Sequence, residues 1–149
     1  MAQFFVEDAA HDAVLKTLHF QGNEIRICFG KPKVISLTLG ESQSIGLIDE
    51  DDSTTRPELG NIGWKEDDDF NYSIVDGKMF IRFSNNVEDW LTRVSKEAHI
   101  NFPGNPGDLH GKIKSNNHEA RQFLEALRDS SANSPLQILR KLIRNHLGQ

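Results

Sequence analysis

The chain has 149 residues, 37% of them hydrophobic and 26% charged, with a net charge of −5. That length fits one domain with its own core. No run of about 18 apolar residues exists, which excludes a helical membrane span, and the single cysteine, Cys28, excludes an intrachain disulfide. The charge is uneven. Residues 1–111 hold 10 Lys+Arg against 19 Asp+Glu, and residues 112–149 hold 7 against 3, so an acidic body carries a basic tail. The start, MAQFFVEDAAHD, lacks the basic and apolar regions of a secretory signal. A lone cysteine and no leader together point to a reducing compartment. The expectation is cytoplasm, or a host's cytosol for a secreted effector.

Phe4-Phe5-Val6 is too short to classify and reads as an edge strand or a loose end. Over about 9–20, Ala10, Val14 and Leu18 recur at helical spacing, Asp8 is placed to cap the start and Gly22 to end it. Three alternating runs follow: Ile25, Ile27, Phe29; then Ile35, Leu37, Leu39; then Ile45, Leu47. Joined through GKPK and GESQ they pair as an antiparallel meander, Ile27 with Leu37 and Leu37 with Leu47. Residues 49–69 form a long loop in which two acidic clusters bracket Ile62 and Trp64.

Phe70–Phe83 is the clearest element. Asp76-Gly77 suits a two-residue hairpin turn, where both central residues need positive φ. That turn pairs Phe70 with Phe83, Tyr72 with Ile81 and Ile74 with Met79, all on one face. Asn85 or Asn86 then caps a helix with Glu88 and Asp89 in its first turn, and Val87, Trp90, Leu91, Val94 and Ala98 make its apolar stripe. Residues 101–111, with two prolines and three glycines, read as a loop. Asn117 and Ser134, the latter followed by Pro135, cap two final amphipathic helices.

The predicted fold is α+β: a five-stranded, mainly antiparallel meander with one face covered by helices. A half-barrel capped by the 87–98 helix is the second arrangement. One domain spans 1–149, with a sheet-plus-helix body at 9–111 and a basic helical pair at 112–149 packed on it.

The motifs for chemistry are sparse. Asp49, Asp51, Ser53 and Thr55 imitate calcium-loop spacing, but Thr54 stands where the tight turn needs Gly and Gly60 where a bidentate Glu is required. Six histidines and one cysteine offer no zinc spacing, and His11 and His19 point about 80° apart on their helix. No metal or cofactor is expected. Cys28 lies mid-strand with no base beside it and reads as a small hydrophobe. If the chain is an enzyme, the 101–111 loop is the place: His110 as acid–base group, assisted by Asp108 or His99, in a small hydrolase or transferase. The last helix gathers Arg140, Lys141 and Arg144 opposite its apolar stripe, a layout that suits an anion, nucleic acid or an acidic partner. An overall acidic chain with a pI near 5.6 argues against nucleic acid. The leading expectation is therefore a non-catalytic protein-interaction module of regulator, inhibitor or effector-like type, whose partner is another protein. Its contacts are expected at Trp64 and at Arg140, Lys141 and Arg144.

Overall fold

The computed structural model describes residues 3–50, 64–67, 70–102, 108–115 and 117–149, with the side chains of 66 and 67 outside the description. The chain is α+β, and its sheet is mixed rather than a meander. Strand β1 (Phe4–Val6) leads through helix α1 (Ala9–Thr17) to β2 (Ile25–Ile27). Helix α2 (Lys31–Gly40) then leads to β3 (Ile45–Asp49). Next come β4 (Lys65–Asp67), β5 (Phe70–Val75) and β6 (Lys78–Phe83). Four helices follow: α3 (Val87–Ala98), α4 (Leu109–Lys114), α5 (His118–Asp129) and α6 (Pro135–His146).

Among the described residues the strand order is β2-β1-β3-β6-β5-β4. The sheet has six strands, and the three-residue β2 and β4 form its two edges. β1 runs parallel to both β2 and β3, and β3 runs parallel to β6. Only β4–β5 and β5–β6 are antiparallel. The sheet is open, with β2 and β4 at its edges, so no half-barrel closes.

The expected meander fails at one segment. Residues 31–40 form a helix, not the strand that Ile35, Leu37 and Leu39 suggested. Pro32 sits in its first turn, and Lys31, Val34, Ile35 and Thr38 are buried. That spacing of three and four is a helical stripe, and it outweighs alternation in so short an apolar run. With α2 helical, β2 cannot fold back on β3. The crossovers from β1 to β2 and from β2 to β3 are helical, the usual link between parallel strands, whereas the parallel pair β3–β6 is linked by way of β4 and β5. Phe4–Val6, expected at the edge if anywhere, is a fully buried central strand.

The two crossovers lie on opposite faces, so both faces are covered rather than one. On the first face, Phe4, Val6, Ile45, Leu47, Ile81 and Phe83 pack against α1, α3 and the C-terminal helices in the larger core. On the second, Phe5, Ile48, Phe80 and Cys28 pack against Val34 and Ile35 of α2. Alternation along each strand assigns these residues to their faces. Gly46 lets α2 approach closely: a Cβ there would lie 2.6 Å from Thr38 Oγ1 and 3.2 Å from Val34 and Phe80. The hairpin has the register read from sequence, from Phe70↔Phe83 to Val75↔Lys78, with Asp76 and Gly77 both at positive φ. Asn86 caps α3 through Asp89 N–H. Leu127, Leu136, Leu139 and Ile143 of the final pair join the larger core. No helix among the described residues is long and apolar enough to cross a membrane.

Candidate functional site

The parallel topology creates a place where chemistry can collect. From β1 the chain crosses to β2 on one side; from β2 it crosses back to β3 on the other. Successive crossovers on opposite faces leave a crevice at the carboxyl ends of β1 and β3, the usual ligand position in open parallel sheets. Val6 ends β1, so Glu7 and Asp8 stand at that edge. Asp49 ends β3 beside them. The first turn of α3, after the parallel strand β6, brings Glu88 to the same edge.

At the centre is His11, in the first turn of α1 and completely buried. Its Nε2 lies 2.9 Å from Asp49 Oδ1 and its Nδ1 lies 3.2 Å from Asp8 Oδ1. Carboxylate oxygens face both ring nitrogens, so both donate and the ring is an imidazolium. Burial opposes that charge, but hydrogen bonding and attraction to Asp49 and Asp8 outweigh it and raise the pKa to about 10. Phe83 lies beside the imidazole, with ring centroids 5.7 Å apart, and packs in turn on Trp90 at 5.0 Å.

Each carboxylate has a separate environment. Asp8 caps α1, accepting from Ala10 N–H at 2.9 Å. Burial would raise its pKa, yet the His11 hydrogen bond, the attraction to His11 and the Ala10 amide bring it down to about 2. Asp49, 5% exposed, also accepts the Val87 N–H at 3.0 Å on Oδ1, which fixes its orientation against the start of α3. Glu7 accepts the Asp49 N–H at 3.3 Å. Burial first, and then repulsion from Asp49, push its pKa up to about 7, against the pull of His11 and Lys31. Near neutral pH it is thus half protonated.

Ligand atoms of Glu7, His11 and Asp49 lie within 4.8 Å of one another, and so do those of Asp8, Glu88 and His110. Asp8 joins the two groups through its bond to His11. In the second group His110 Nδ1 hydrogen-bonds Glu88 Oε1. The first group is the more enclosed. Its His11 is committed through both nitrogens, which leaves Glu7 and the second oxygen of Asp49 as the available hard donors.

The residues singled out from sequence are scattered. His110 reaches this edge, on α4 rather than in a loop, and its partner is Glu88. Asp108 is the exposed N-cap of the helix; two residues before His110, it points roughly 160° away from it around the axis. His99 is the exposed, left-handed C-cap of α3. Trp64 is half-buried against the second core, with the Arg82 guanidinium 4.2 Å over its ring. Arg140 is half-buried, while Lys141 and Arg144 are exposed. Cys28 is buried beside Phe5, and burial raises its thiol pKa. Of the loop tested for calcium spacing, Asp49 belongs to β3 while Asp51, Ser53 and Thr55 lie outside the described residues.

Sequence reasoning missed Glu7, Asp8, His11 and Asp49 as a group. The available signal was FFVED followed by a capped helix, and IGLIDEDD after a helical segment: two short apolar runs, each ending in paired acids. No family model matches this chain, and neither the curated proteins nor the solved structures give a match.

Proposed function

We propose that the protein is a divalent-cation-dependent enzyme that acts on a phosphate ester at the carboxyl edge of β1 and β3. The observation that carries this reading is the Glu7–Asp49 pair, two carboxylates from adjacent parallel strands beside a buried charged histidine. A Mg²⁺-class ion binds through one or two carboxylates and completes its shell with water and substrate phosphates. Its charge would offset the burial and the repulsion from Asp49 that together raise the Glu7 pKa. His11 would not be a ligand; both its nitrogens are used, and its role would be to hold Asp49 and Asp8 in place. A bound cation would polarise a phosphoryl oxygen and lower the pKa of a bound water.

Mn²⁺ titration of the wild-type protein by calorimetry tests this. Binding is expected at pH 8 and at least tenfold weaker at pH 5.5, where Glu7 carries its proton. Glu7→Gln should lose the binding and any Mn²⁺-dependent hydrolysis of aryl phosphates. Absence of binding at pH 8, or equal binding in the folded variant, would overturn the reading.

A second reading is the non-catalytic interaction module suggested by the sequence. What favours it is that Arg140, Lys141 and Arg144 make no ion pair among the described residues, on a helix whose other face is buried. It expects a protein partner that is held by wild type and lost on Arg140→Glu/Lys141→Glu/Arg144→Glu, with the fold checked by circular dichroism. No partner for either protein would remove it.

A further inference from the structure

We propose that Asp8, Glu88 and His110 form a second metal site, which takes a transition metal of the Zn²⁺ or Co²⁺ type and is separate from the Mg²⁺-class site at Glu7 and Asp49. It does not rest on that first site, because its donors come from other residues.

Three elements meet here from distant parts of the sequence. Asp8 is the N-cap of α1, Glu88 lies in the first turn of α3, and His110 is the second residue of α4. One ligand atom from each lies within 4.8 Å of the other two. Bonds from zinc to nitrogen and oxygen, about 2.0–2.2 Å long, set neighbouring donor atoms about 3–4 Å apart. A small adjustment of the side chains therefore brings all three onto one ion. Their side chains are 26%, 17% and 44% exposed in the order Asp8, Glu88, His110. An ion can thus enter from solvent and keep a water in its remaining position.

The donors are held from behind. The bonds to Asp8 from the Ala10 N–H and from His11 both fall on Oδ1, which leaves Oδ2 for an ion. Outer hydrogen bonds of this kind orient metal ligands. Glu88 is placed by the start of α3, which Asn86 caps and Asp49 ties through the Val87 N–H. His110 Nδ1 hydrogen-bonds Glu88 Oε1. An ion would take the place of the proton in that bond, which goes to solvent, and would screen the Asp8 and Glu88 carboxylates from each other.

The imidazole decides the metal. The site at Glu7 and Asp49 offers oxygen alone, because His11 has both nitrogens committed. Here one nitrogen joins two carboxylates. Imidazole suits zinc and its neighbours, whereas Mn²⁺ stands lowest in the order of divalent affinities. Zn²⁺ should fill this site at concentrations where Mn²⁺ fills only the first. The His11 imidazolium lies between the two sites, bonded to Asp49 of one and Asp8 of the other.

The probe is Zn²⁺, followed at pH 7 through the histidine ring ¹⁵N signals of the full wild-type chain. The largest shift is expected on the His110 ring. No shift, or a larger one on another histidine, would overturn the proposal. Calorimetry in the Glu7→Gln protein, which lacks the first site, then reads this site by itself. Adding His110→Ala or Glu88→Gln should weaken Zn²⁺ binding at least tenfold. Undiminished affinity with Glu88→Gln, in protein shown to be folded by circular dichroism, would reduce the site to a lone surface imidazole and overturn it as well. Mn²⁺ binding should be unchanged when His110→Ala is made alone. The two sites thus fail separately: Mn²⁺ that never binds wild type strikes the first, and Zn²⁺ that leaves the His110 ring unmoved strikes the second.

Discussion

Replacing His11 by Ala is expected to destabilise the protein by about 3–5 kcal/mol, the cost of removing one member of a buried ion-pair network. The imidazolium is wholly buried and bonded to Asp8 and Asp49. Without it, Asp49 keeps its charge in a 5% exposed position, with the Val87 N–H as its carboxylate's partner among the described residues and the repelling Glu7 carboxyl beside it. The loss should also depend on pH. The folded pKa of His11 stands at about 10, above its ordinary 6.5. A raised pKa stabilises the fold fully below the unfolded value, and the stabilisation is lost as pH rises through the folded value. The gap between wild type and His11→Ala should therefore be widest near pH 6 and narrow towards pH 10. Urea unfolding across that range measures it; a deficit under about 1 kcal/mol at pH 6 would show that the network does not hold the edge together.

Glu7→Gln should do the opposite. Here too the folded pKa is raised, from 4.5 to about 7. The favourable share is present below pH 4.5 and is lost as pH rises through 7. Above that, wild type carries a carboxylate that burial and Asp49 disfavour. Gln carries none, and its amide oxygen can still accept the Asp49 N–H. After allowance for solvent screening of this partly exposed group, the variant should be more stable than wild type by about 1–2 kcal/mol at pH 8. The two should be nearly equal at pH 4.5. Mn²⁺ should raise the melting temperature of wild type at pH 8 and leave Glu7→Gln unmoved. A stability gain joined to loss of metal response is the mark of a carboxylate kept for function rather than for folding. Equal stability of the two proteins at pH 8 would show that Glu7 is not strained there. The windows also separate the two residues, since Glu7 acts between pH 4.5 and 7 and His11 between 6.5 and 10.

Local signals in the chain proved reliable at the hairpin and at the helix starts, but less so at helix ends: the first helix stops at Thr17 with Leu18 as its C-cap, short of the expected Gly22. Asp76-Gly77 set the hairpin and, with it, every pair from Phe70↔Phe83 onward. Asp8, Asn86, Asn117 and Ser134 all cap the helices they were expected to cap. The failures came where a local pattern fitted two structures. Val34 to Leu39 alternates like a strand, yet its buried positions 31, 34, 35 and 38 follow a helix. That single ambiguity converted a parallel crossover into an imagined meander. It also hid the crevice, which exists only because β1 lies between β2 and β3. Phe4–Val6 is too short to announce a strand, so the acids after it looked like a helix start and those after Ile48 looked like a loop. His110 was visible as a candidate, but Glu88 was not visible as its partner; 22 residues separate them.

The central seat of β1 has a kinetic consequence. The β5–β6 hairpin and α3 are built from contacts close in sequence and can form early, on the microsecond scale of roughly 1–10 μs for a hairpin. β1 has no such route. Phe4 must find Ile25 on one side and Ile45 on the other, and Ile45 must find Met79. Each closure carries its own loop entropy before any pairing repays it. The strand that delivers Glu7 and Asp8 is thus the one whose place depends on the longest-range assembly. The acidic edge comes into being only when the parallel half of the sheet is complete, so a partly folded chain carries the hairpin without the site.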